Sequence, residues 1–514
     1  MSFDSISKPF TSIEFTQWLA LAALALLAHT LINCIYNAYF HPLSKYPGPK
    51  LSSVSDVWEI YHLSLTGKWP FAIESAVEKY GDIVRTGPNS LVFLEPQAFS
   101  DIHGPKRDLD RTFTKTPFVD GLGDEDDGLL WERDPAKHRR IAKTISPAFS
   151  ANSLRAKDPT MHKHIDFMMT QLQEFGDSKD GTDLSVWLNW LCMDVAADIS
   201  CGWEMNQLKN MINHPFLDSM EAVNFFVVLL VATKTYPLLA PFMALFTPWR
   251  VVRSIPRLLR ELRKQVQRRI SRRNSLEHSD YFEQLLPTNE SILKQDHRRI
   301  RHMLTITGQL IIGGYDPTSF ALNMMFHFLL RSPQALGHLK HEMHENFSSY
   351  EDIDTEKVRG LVWLNACLSE TLRLGSAATH HSLPRLSPGA VVSGTYIPKG
   401  VLCRTSMFTY SRSSRFFYEP KAFRPERWLP EDHPWYNSMF STDDHSAYFP
   451  FNIGPRRCPG REVARTMLRL VVVKLFWLFE VEQLSGQLDF DKDFCVYGMW
   501  QKPKLRVRLT KKGF

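Results

Sequence analysis

The chain has 514 residues, of which 44% are hydrophobic and 12% aromatic, and its net charge is +6. This composition supplies a large core, and the modest charge argues against nucleic acid as the main partner. No Gly/Ser-rich linker, repeat or low-complexity block divides the sequence, which predicts one large α-rich unit. The seven cysteines form no CxxC pair, and their odd number is typical of a reducing compartment.

The N-terminal region contains one segment that is long and apolar enough to cross a membrane. Residues 18–36, "WLALAALALLAHTLINCIY", contain no Asp, Glu, Lys or Arg, and this length spans the hydrocarbon core of a bilayer. No small-residue cleavage site follows, so we expect an uncleaved anchor, with a buried core helix as the alternative. Lys45 and Lys50 lie after the segment, which predicts that the body of the protein faces the cytosol.

Three segments in the first half of the chain suggest a pocket and a membrane-facing surface. Thr112–Leu130 combines aromatic residues with glycines and acids, as a mobile entry loop does. Asn224–Phe246 is apolar but contains one lysine and two prolines; we expect a helix and loop that lie against the bilayer or roof an apolar pocket. The basic run Arg260–Asn274 predicts a helix whose charged face contacts either solvent or an anionic membrane.

A long helix is predicted from about Asp296 to Leu330, and the stretch "GGYDPTS" (Gly313–Ser319) lies in its middle. A proline in a helix interior costs about 3 kcal/mol. Pro317 has no N–H, so the Gly313 carbonyl loses its helical partner. The sequence therefore predicts a local distortion at this point, and a functional reason for it.

The loop "FNIGPRRCPGRE" runs directly into an amphipathic helix that starts near Gly460. Cys458 precedes the N-terminus of this helix and lies among Arg456, Arg457 and Arg461. Helix amides and neighbouring cations both favour a thiolate over a thiol. The loop is therefore typical of a metal-binding sulfur, although a purely structural cysteine is the alternative on these residues alone.

The loop also fits a longer pattern, Phe-x-x-Gly-x-Arg-x-Cys-x-Gly, at Phe451, Gly454, Arg456, Cys458 and Gly460. It resembles the haem-binding loop of the cytochrome P450 family. The segments "GGYDPTS", "ETLR" and "FRPERW" resemble further motifs of that family and occur in the family's order. The resemblance covers the chain from the apolar segment to its end. It implies a mainly α-helical fold with small β-sheets (α+β), preceded by one transmembrane helix.

The resemblance implies a haem b cofactor whose iron is bound by the thiolate of Cys458, which favours O–O cleavage. Gly454 and Gly460 would let backbone approach the porphyrin and the sulfur. Phe451 would pack over the loop and exclude water from the thiolate.

Two further groups of residues are implied around the haem. Glu370 and Arg373 of "ETLR", with Arg427 of "FRPERW", would form a buried structural ion network. Arg456 and Arg385 would bind the haem propionates.

His138 in "KHRRIAKTISPAFS" falls where the family has a propionate-binding Trp or His, with a surface histidine as the alternative. The arginine expected four residues later is Ala142, and we expect Lys143 or Arg139 to substitute for it.

The distal side of the haem would be formed by the long helix. Gly313 and Gly314 would leave room above the iron, and Asp316 would feed protons towards oxygen. Pro317 occupies the position where the family usually has a threonine. We expect Thr318, with Asp316 and water, to relay protons, unless the substrate's own hydroxyl organises the water or the proline kink serves packing alone.

The substrate pocket and the partners follow from the same resemblance. An apolar ligand is expected, and the lining candidates are Phe113, Phe118, Ile312, Gly313, His381 and Met499 of "VYGMW". The sequence has no flavin or nicotinamide fingerprint, so electrons would come from a separate NADPH-dependent cytochrome P450 reductase. Its acidic surface would dock on a basic face, formed by Arg133, Lys137, Arg139, Arg140, Lys143, Arg457 and Arg465.

The expected protein is a single-pass enzyme of the endoplasmic reticulum membrane with its catalytic domain in the cytosol. We divide it into a lumenal N-terminus (1–17), a transmembrane anchor (18–36), a Pro-rich hinge (37–50) and the catalytic domain (51–514).

The function implied is monooxygenation, by hydroxylation or epoxidation, of a lipophilic secondary metabolite such as a terpenoid, polyketide or alkaloid. "HPLSKYPGPK" and "YGDIVRTGPNSLVF" resemble fungal members that perform such chemistry. Two alternatives stay open: a haem-thiolate isomerase, lyase or dehydratase that needs no external electrons, suggested by Pro317, and a non-catalytic haem-binding protein.

Overall fold

The computed structural model of the protein is mainly helical with small β-sheets, as the sequence predicts. It describes residues 15–106, 108–116, 128–176, 180–237, 241, 245, 247–272, 279–286, 297–377, 384–484 and 488–513.

The first helices of the described chain are α1 (Phe15–Ile35), α2 (Lys50–Val54), α3 (Val57–Ile60), α4 (Trp69–Tyr80), α5 (Pro96–His103), α6 (Gly128–Trp131), α7 (Pro135–Ile145), α8 (Ala151–Arg155), α9 (Asp158–Phe175) and α10 (Leu184–Cys201). The later ones are α11 (Gln207–Asn210), α12 (Pro215–Thr235), α13 (Trp249–Ser271), α14 (His297–Leu330), α15 (Pro333–Asn346), α16 (Thr355–Gly360), α17 (Val362–Leu374), α18 (Met407–Ser411), α19 (Arg461–Leu478) and α20 (Phe490–Asp493).

The strands are short. They are β1 (Ile83–Gly87), β2 (Ser90–Phe93), β3 (Thr114–Lys115), β4 (Thr182–Asp183), β5 (Arg385–Leu386), β6 (Ala390–Val392), β7 (Thr395–Ile397), β8 (Leu402–Thr405), β9 (Phe479–Gln483), β10 (Cys495–Tyr497), β11 (Met499–Gln501) and β12 (Arg506–Lys511). The largest sheet has the order β1-β2-β8-β5-β3, with β2 and β8 parallel and the other pairs antiparallel. β10 and β11 form an antiparallel hairpin.

The main core forms where α10, α14, α17 and α19 pack together, because each of these helices is apolar around most of its circumference. α10 shows how local sequence sets the ends of a core helix. The Asp183 carboxylate accepts a hydrogen bond from the Ser185 N–H at its start, and Gly202 ends it at a φ of 61°. The core helices thus provide a rigid frame for the segments that carry the motifs.

The N-terminal helix is a candidate membrane span. The continuous segment Phe15–Phe40 has 26 residues, a mean hydropathy of 1.9 and no buried residue in its most apolar window. An exposed apolar helix of this length needs a lipid or protein covering. It includes the predicted span 18–36.

The hinge after this helix is fixed against the body of the protein. The Arg85 guanidinium is buried and donates to the Asn37 carbonyl at 2.8 Å, and the Arg85 N–H donates to the Pro47 carbonyl at 2.8 Å. A Cβ atom at Gly48 would clash with the Arg85 carbonyl oxygen, so glycine is needed for this close approach. The segment is therefore packed along β1.

The apolar stretch Asn224–Phe246 and the basic run Arg260–Asn274 are mostly helical in the residues that the structure describes. The apolar stretch is α12 up to Thr235, and part of its remainder lies outside the described residues. The basic run lies on α13, but its charges do not all face outwards: the buried Arg269 guanidinium binds the buried Asp280 carboxylate at 2.5 and 3.1 Å. One face of α13 is therefore attached to the protein interior.

The long central helix, α14, is continuous. The sequence predicts a distortion at "GGYDPTS", but residues His297–Leu330 form one uninterrupted α-helix with Pro317 inside it. A proline removes a single backbone hydrogen bond, and packing of α14 against α10, α17 and α19 stabilises the helix on both sides of that position. The helix therefore remains uninterrupted although the Gly313 carbonyl has lost its helical hydrogen bond.

Candidate functional site: the cysteine loop and the central helix

The loop before α19 holds Cys458 by backbone hydrogen bonds. The Cys458 N–H donates to the Phe451 carbonyl at 2.8 Å, and the Gly460 N–H donates to the Cys458 sulfur. Phe451 is half-buried against the main core, and the Arg465 guanidinium lies 5.4 Å from its ring centroid. The cysteine itself is exposed, so its sulfur faces an open space from the end of a rigid helix.

The two glycines of the loop have different reasons to be glycine. Gly454 has a φ of +69°, and a Cβ there would clash with the His103 carbonyl oxygen. At Gly460 a Cβ would meet only the Phe149 ring, at 4.0 Å, which is ordinary contact. Protein packing explains the glycine at position 454. The contact that the described residues show for Gly460 is the hydrogen bond from its backbone N–H to the Cys458 sulfur.

The electrostatics of Cys458 differ from the expectation for a free thiol. Desolvation raises the pKa of the Cys458 thiol, and the Gly460 N–H and the Arg461 charge only partly oppose that increase. Desolvation of an anion outweighs these two favourable contacts. The helix terminus and Arg461 therefore do not by themselves lower the pKa of this thiol below its ordinary value.

The structure brings Glu370, Arg373 and Arg427 together in one fully buried ion network. Arg373 donates to the two Glu370 oxygens at 2.8 and 2.7 Å, and Arg427 Nε donates to Oε1 at 3.1 Å. The backbone N–H of Arg424 and the indole N–H of Trp428 also donate to this carboxylate, each at 2.9 Å. The network thus connects α17 to the segment that leads into the cysteine loop.

A fourth charge belongs to this network and was missed in the sequence. The Asp443 carboxylate is fully buried and hydrogen bonded to Arg427. With it, two carboxylates balance two guanidinium groups, which is the condition under which buried charges are tolerated. No motif marks Asp443, because its partner lies sixteen residues away across an irregular segment.

Four basic side chains meet beside the cysteine loop. His138 on α7 and Arg385 on β5 are buried, and Arg456 of the loop donates to the Glu132 carbonyl at 2.7 Å. The fourth is Lys115 on β3, which is buried, pairs with Arg385 in the sheet register, and donates to the Leu130 carbonyl.

The charges in this cluster act on one another. Burial, followed by Arg456, Lys115 and Arg385, lowers the pKa of His138 to about 3, so this imidazole is neutral. Burial and the Arg456 charge lower the pKa of Arg385 to about 9, and burial lowers the pKa of Arg456 to about 10. A ligand with two carboxylates would relieve this repulsion, and haem carries two propionates.

Lys115 lies in this cluster, whereas Lys143 and Arg139, the expected substitutes for the missing arginine, do not. Both of those side chains are exposed on α7, on the side away from His138, which is buried. The sequence could not reveal Lys115, because only the antiparallel pairing of β3 with β5 brings it to Arg385.

We predict that Lys115→Met weakens haem retention. A charge-assisted hydrogen bond contributes about 1.5–3 kcal/mol, and methionine keeps the length of the side chain without the charge. The measurement is the haem-to-protein ratio after extended dialysis. Lys137→Met, on the exposed side of α7, is the control; equal haem loss from both variants would show that Lys115 does not bind the cofactor.

The middle of α14 has one open face. Gly313 and Pro317, four residues apart, are exposed in a stretch whose neighbours are mostly buried, and nothing described lies within 4 Å of a Cβ built at Gly313. Gly314 does not share this space: a Cβ there would lie 3.0 Å from Ala196 Cβ on α10. Gly313 thus provides the expected room, whereas Gly314 serves helix packing.

Asp316 and Thr318 are both buried, but the structure does not bring them together. Residues two apart in a continuous α-helix point about 160° apart. On the same wheel Asp316 lies about 60° from Gly313, and Thr318 about 140° from it. The Asp316 carboxylate binds Lys502 Nζ at 3.0 Å instead.

The remaining pocket candidates are dispersed. Phe113 is buried in the core beside the large sheet, so it serves packing. Ile312 is half-buried next to Gly313, and Met499 lines a cavity together with Asp316. Phe118 and His381 lie outside the described residues.

These features fit a haem bound by one thiolate. An open sulfur at a helix terminus, a basic cluster suited to two carboxylates and an open face on α14 are the three features that such a flat, dianionic, iron-containing group requires.

Comparison with known proteins agrees with this geometry. The family model described as Cytochrome P450 matches residues 49–507. Cytochrome P450 monooxygenase TwmD of Talaromyces wortmannii is 41% identical over 98% of both chains. Cytochrome P450 monooxygenase btcC of Colletotrichum orbiculare is 33% identical, over 95% of this chain and 94% of its own. Cytochrome P450 monooxygenase poxC of Penicillium oxalicum is 32% identical, over 95% and 93%. The chain therefore belongs to the cytochrome P450 family and is similar throughout its length to fungal monooxygenases of that family.

Proposed function

We propose that this protein hydroxylates or epoxidises a lipophilic secondary metabolite, a terpenoid, polyketide or alkaloid, using dioxygen and electrons from NADPH. The observation that supports this most directly is the open Cys458 sulfur, which accepts the Gly460 N–H beside a buried basic cluster. The three named relatives, all fungal cytochrome P450 monooxygenases, support the reaction class.

We assign haem b to this site, where the Cys458 sulfur would bind its iron. Arg456, Arg385 and Lys115 would bind the propionates as cations, and His138 would donate a hydrogen bond as a neutral imidazole. A thiolate-bound haem supplies the chemistry that cleaves dioxygen.

The chain's own contribution to the reaction is to supply protons. One oxygen atom enters the substrate and the other leaves as water, so each turnover consumes two electrons and two protons. Asp316 is the carboxyl group on the flank of the open face of α14, and we assign it as the proton donor. We keep Thr318 as a second candidate with a smaller effect, because it points away from that flank.

We predict that Asp316→Asn lowers the rate of product formation about 100-fold, the usual contribution of a positioned acid, while NADPH consumption falls less. Thr318→Ala should change the ratio of product to NADPH much less. Both ratios are measured by quantifying product, peroxide and NADPH in the same reaction. A larger effect of Thr318→Ala would reverse the assignment and return the relay to the threonine.

We propose an apolar substrate, because the described residues that would contact it are apolar. Ile312 and Gly313 on α14 and Met499 on the hairpin remain the described candidates to contact it. From the sequence alone, we also propose that Phe118 and His381 contact the substrate.

The partners follow from the surface around the cysteine loop. Lys137, Arg139, Arg140 and Lys143 on α7 and Arg457 of the loop are exposed, and Arg456 attaches the start of α7 to that loop. These cations support docking of an acidic NADPH-dependent reductase at the cysteine side. Lys45 and Lys50 support an orientation in the endoplasmic reticulum membrane with the catalytic domain at 51–514 in the cytosol.

The function is tested with the full-length protein, the reductase, NADPH and isotopically labelled dioxygen on a panel of terpenoids, polyketides and alkaloids. We expect one labelled oxygen atom in the product, and a rate that falls steeply as salt screens the docking face. Product formed without NADPH and dioxygen would instead identify an isomerase, lyase or dehydratase.

A further inference from the structure

The carboxylate assigned as proton donor is paired with a lysine that no motif marks. Lys502 Nζ lies 3.0 Å from Asp316 Oδ1, and only 5% and 9% of the two side chains are exposed. A buried ion pair of this kind is costly to form, and losing one partner strands the other charge. Its presence beside the open face of α14 therefore requires a reason.

The ammonium group is held by two further groups. Lys502 Nζ donates to the Asn189 amide oxygen on α10 at 3.1 Å and lies 4.7 Å from the ring centroid of Tyr315. The same Asn189 oxygen accepts the Ser319 hydroxyl. Burial lowers the pKa of the Lys502 ammonium, but Asp316 and Tyr315 more than offset this and hold the pKa above its ordinary value.

The pair lies at the wall of a cavity of about 400 Å³. The residues that line it include Asn189, Glu221, Tyr315, Asp316, Asp493 and Lys502. Its ionisable groups come from several packed elements: Glu221 from α12, Asp493 from α20, and Tyr315 and Asp316 from α14. Cys192 on α10 also lies within range of Lys502. The cavity is therefore polar enough to admit water as far as Asp316.

The lysine belongs to the C-terminal hairpin, which is clamped to α14. Trp500 stacks on Phe320 with ring centroids 4.9 Å apart and planes within 3°, and its indole N–H donates to the Ser376 carbonyl at 3.1 Å. Lys502 directly follows β11, the strand that carries Met499 and Trp500. The hairpin thus brings its cation to Asp316 in a fixed position.

We propose that Lys502 is a positioning residue for proton delivery: its ion pair fixes the Asp316 carboxylate at the wall of the polar cavity, from which the carboxylate takes up the protons that it passes on. The inference rests on the proposed function, since it assigns a partner to the proton donor of that reaction. A buried carboxylate that has lost its cation is more stable in its protonated form. Removal of Lys502 should therefore leave the Asp316 carboxyl group protonated.

The test uses the full-length haem-loaded protein and the variants Lys502→Met, Lys502→Arg and Lys504→Met. Lys504 is exposed two residues further on and serves as the matched control. We expect Lys502→Met to lower the ratio of product to NADPH about tenfold and to raise the solvent isotope effect. Lys502→Arg should restore much of the ratio, and Lys504→Met should resemble wild type. A ratio for Lys502→Met within twofold of the Lys504→Met control would overturn the proposal.

A spectroscopic readout separates this inference from the proposed function. In the resting protein without substrate, Lys502→Met should show an infrared band of a protonated buried carboxyl at neutral pH. The band should be absent from wild type and from the double variant Lys502→Met/Asp316→Asn; its absence from Lys502→Met would sink the proposal even if the wild-type enzyme turns over.

The double variant also covers a folding failure of Lys502→Met, because it removes both charges and leaves neither stranded. If Lys502 acts through Asp316, the double variant should show the same ratio of product to NADPH as Asp316→Asn alone. If the two substitutions lower this ratio independently, so that their separate effects multiply in the double variant, Lys502 has an independent role.

Discussion

Replacing Cys458 with serine should abolish the red-shifted Soret band that the reduced wild-type protein gives with carbon monoxide, together with all product formation. That band requires a thiolate opposite the carbon monoxide, and a serine hydroxyl neither ionises nor binds iron in the same way. The loop should keep its fold, since the Cys458 N–H bond to Phe451 and the neighbouring Gly454 are unaffected. The measurement is the carbon monoxide difference spectrum of the purified variant, with haem content determined separately.

The matched control is Cys495→Ser. Cys495 is half-buried on β10, which lies well after the cysteine loop in the sequence. Its variant should therefore retain both the band and the activity. A normal band in the Cys458 variant, or its loss in the Cys495 variant, would contradict the assignment of the axial ligand.

The Glu370→Gln variant should lose about 3–5 kcal/mol of stability, because it leaves Arg373 and Arg427 buried opposite a neutral amide. Glutamine keeps the size of the side chain, so the loss reports charge and not a cavity. Glu482→Gln is the control: its partner Arg508 lies at 2.8 Å, but the two side chains are 65% and 45% exposed, and such pairs contribute less than about 1 kcal/mol. Unfolding is followed by denaturant titration, and equal losses would refute a special role of the buried network.

The same network predicts a pH dependence with a definite sign. Burial alone would raise the pKa of the Glu370 carboxyl, but the charges of Arg373 and Arg427 hold it below its ordinary value of 4.5. Its contribution to stability is therefore complete above about pH 4.5 and is lost as the pH falls through the lower folded value. The difference in unfolding free energy between wild type and Glu370→Gln should shrink correspondingly in acid.

Local patterns in the sequence were sufficient to predict several parts of the site. The cysteine loop, the pair Glu370 and Arg373 on one helix face, and the apolar N-terminal helix are each defined within a few residues. Their geometry depends on the loop type or the helical period, which a short stretch already sets. The fold class followed from the resemblance that these motifs carry.

Other expectations failed or were incomplete because they depended on packing between distant segments. Pro317 does not interrupt α14, since neighbouring helices keep it continuous. Gly314 faces Ala196 instead of the open space, and Phe113 lies in a core. A local pattern gives a residue's conformational preference but does not state which neighbour will lie opposite it.

The sequence by itself determined the residues from which the chemistry is proposed: a cysteine loop, a basic residue in that loop and an acid on the central helix. Only the tertiary structure decided which charges meet. Lys115 reaches Arg385 through strand pairing, and Lys502 reaches Asp316 across 186 residues of chain. The physical reason is that an ion's partner is chosen by the burial of both groups, and burial is a property of the assembled core and not of any short segment.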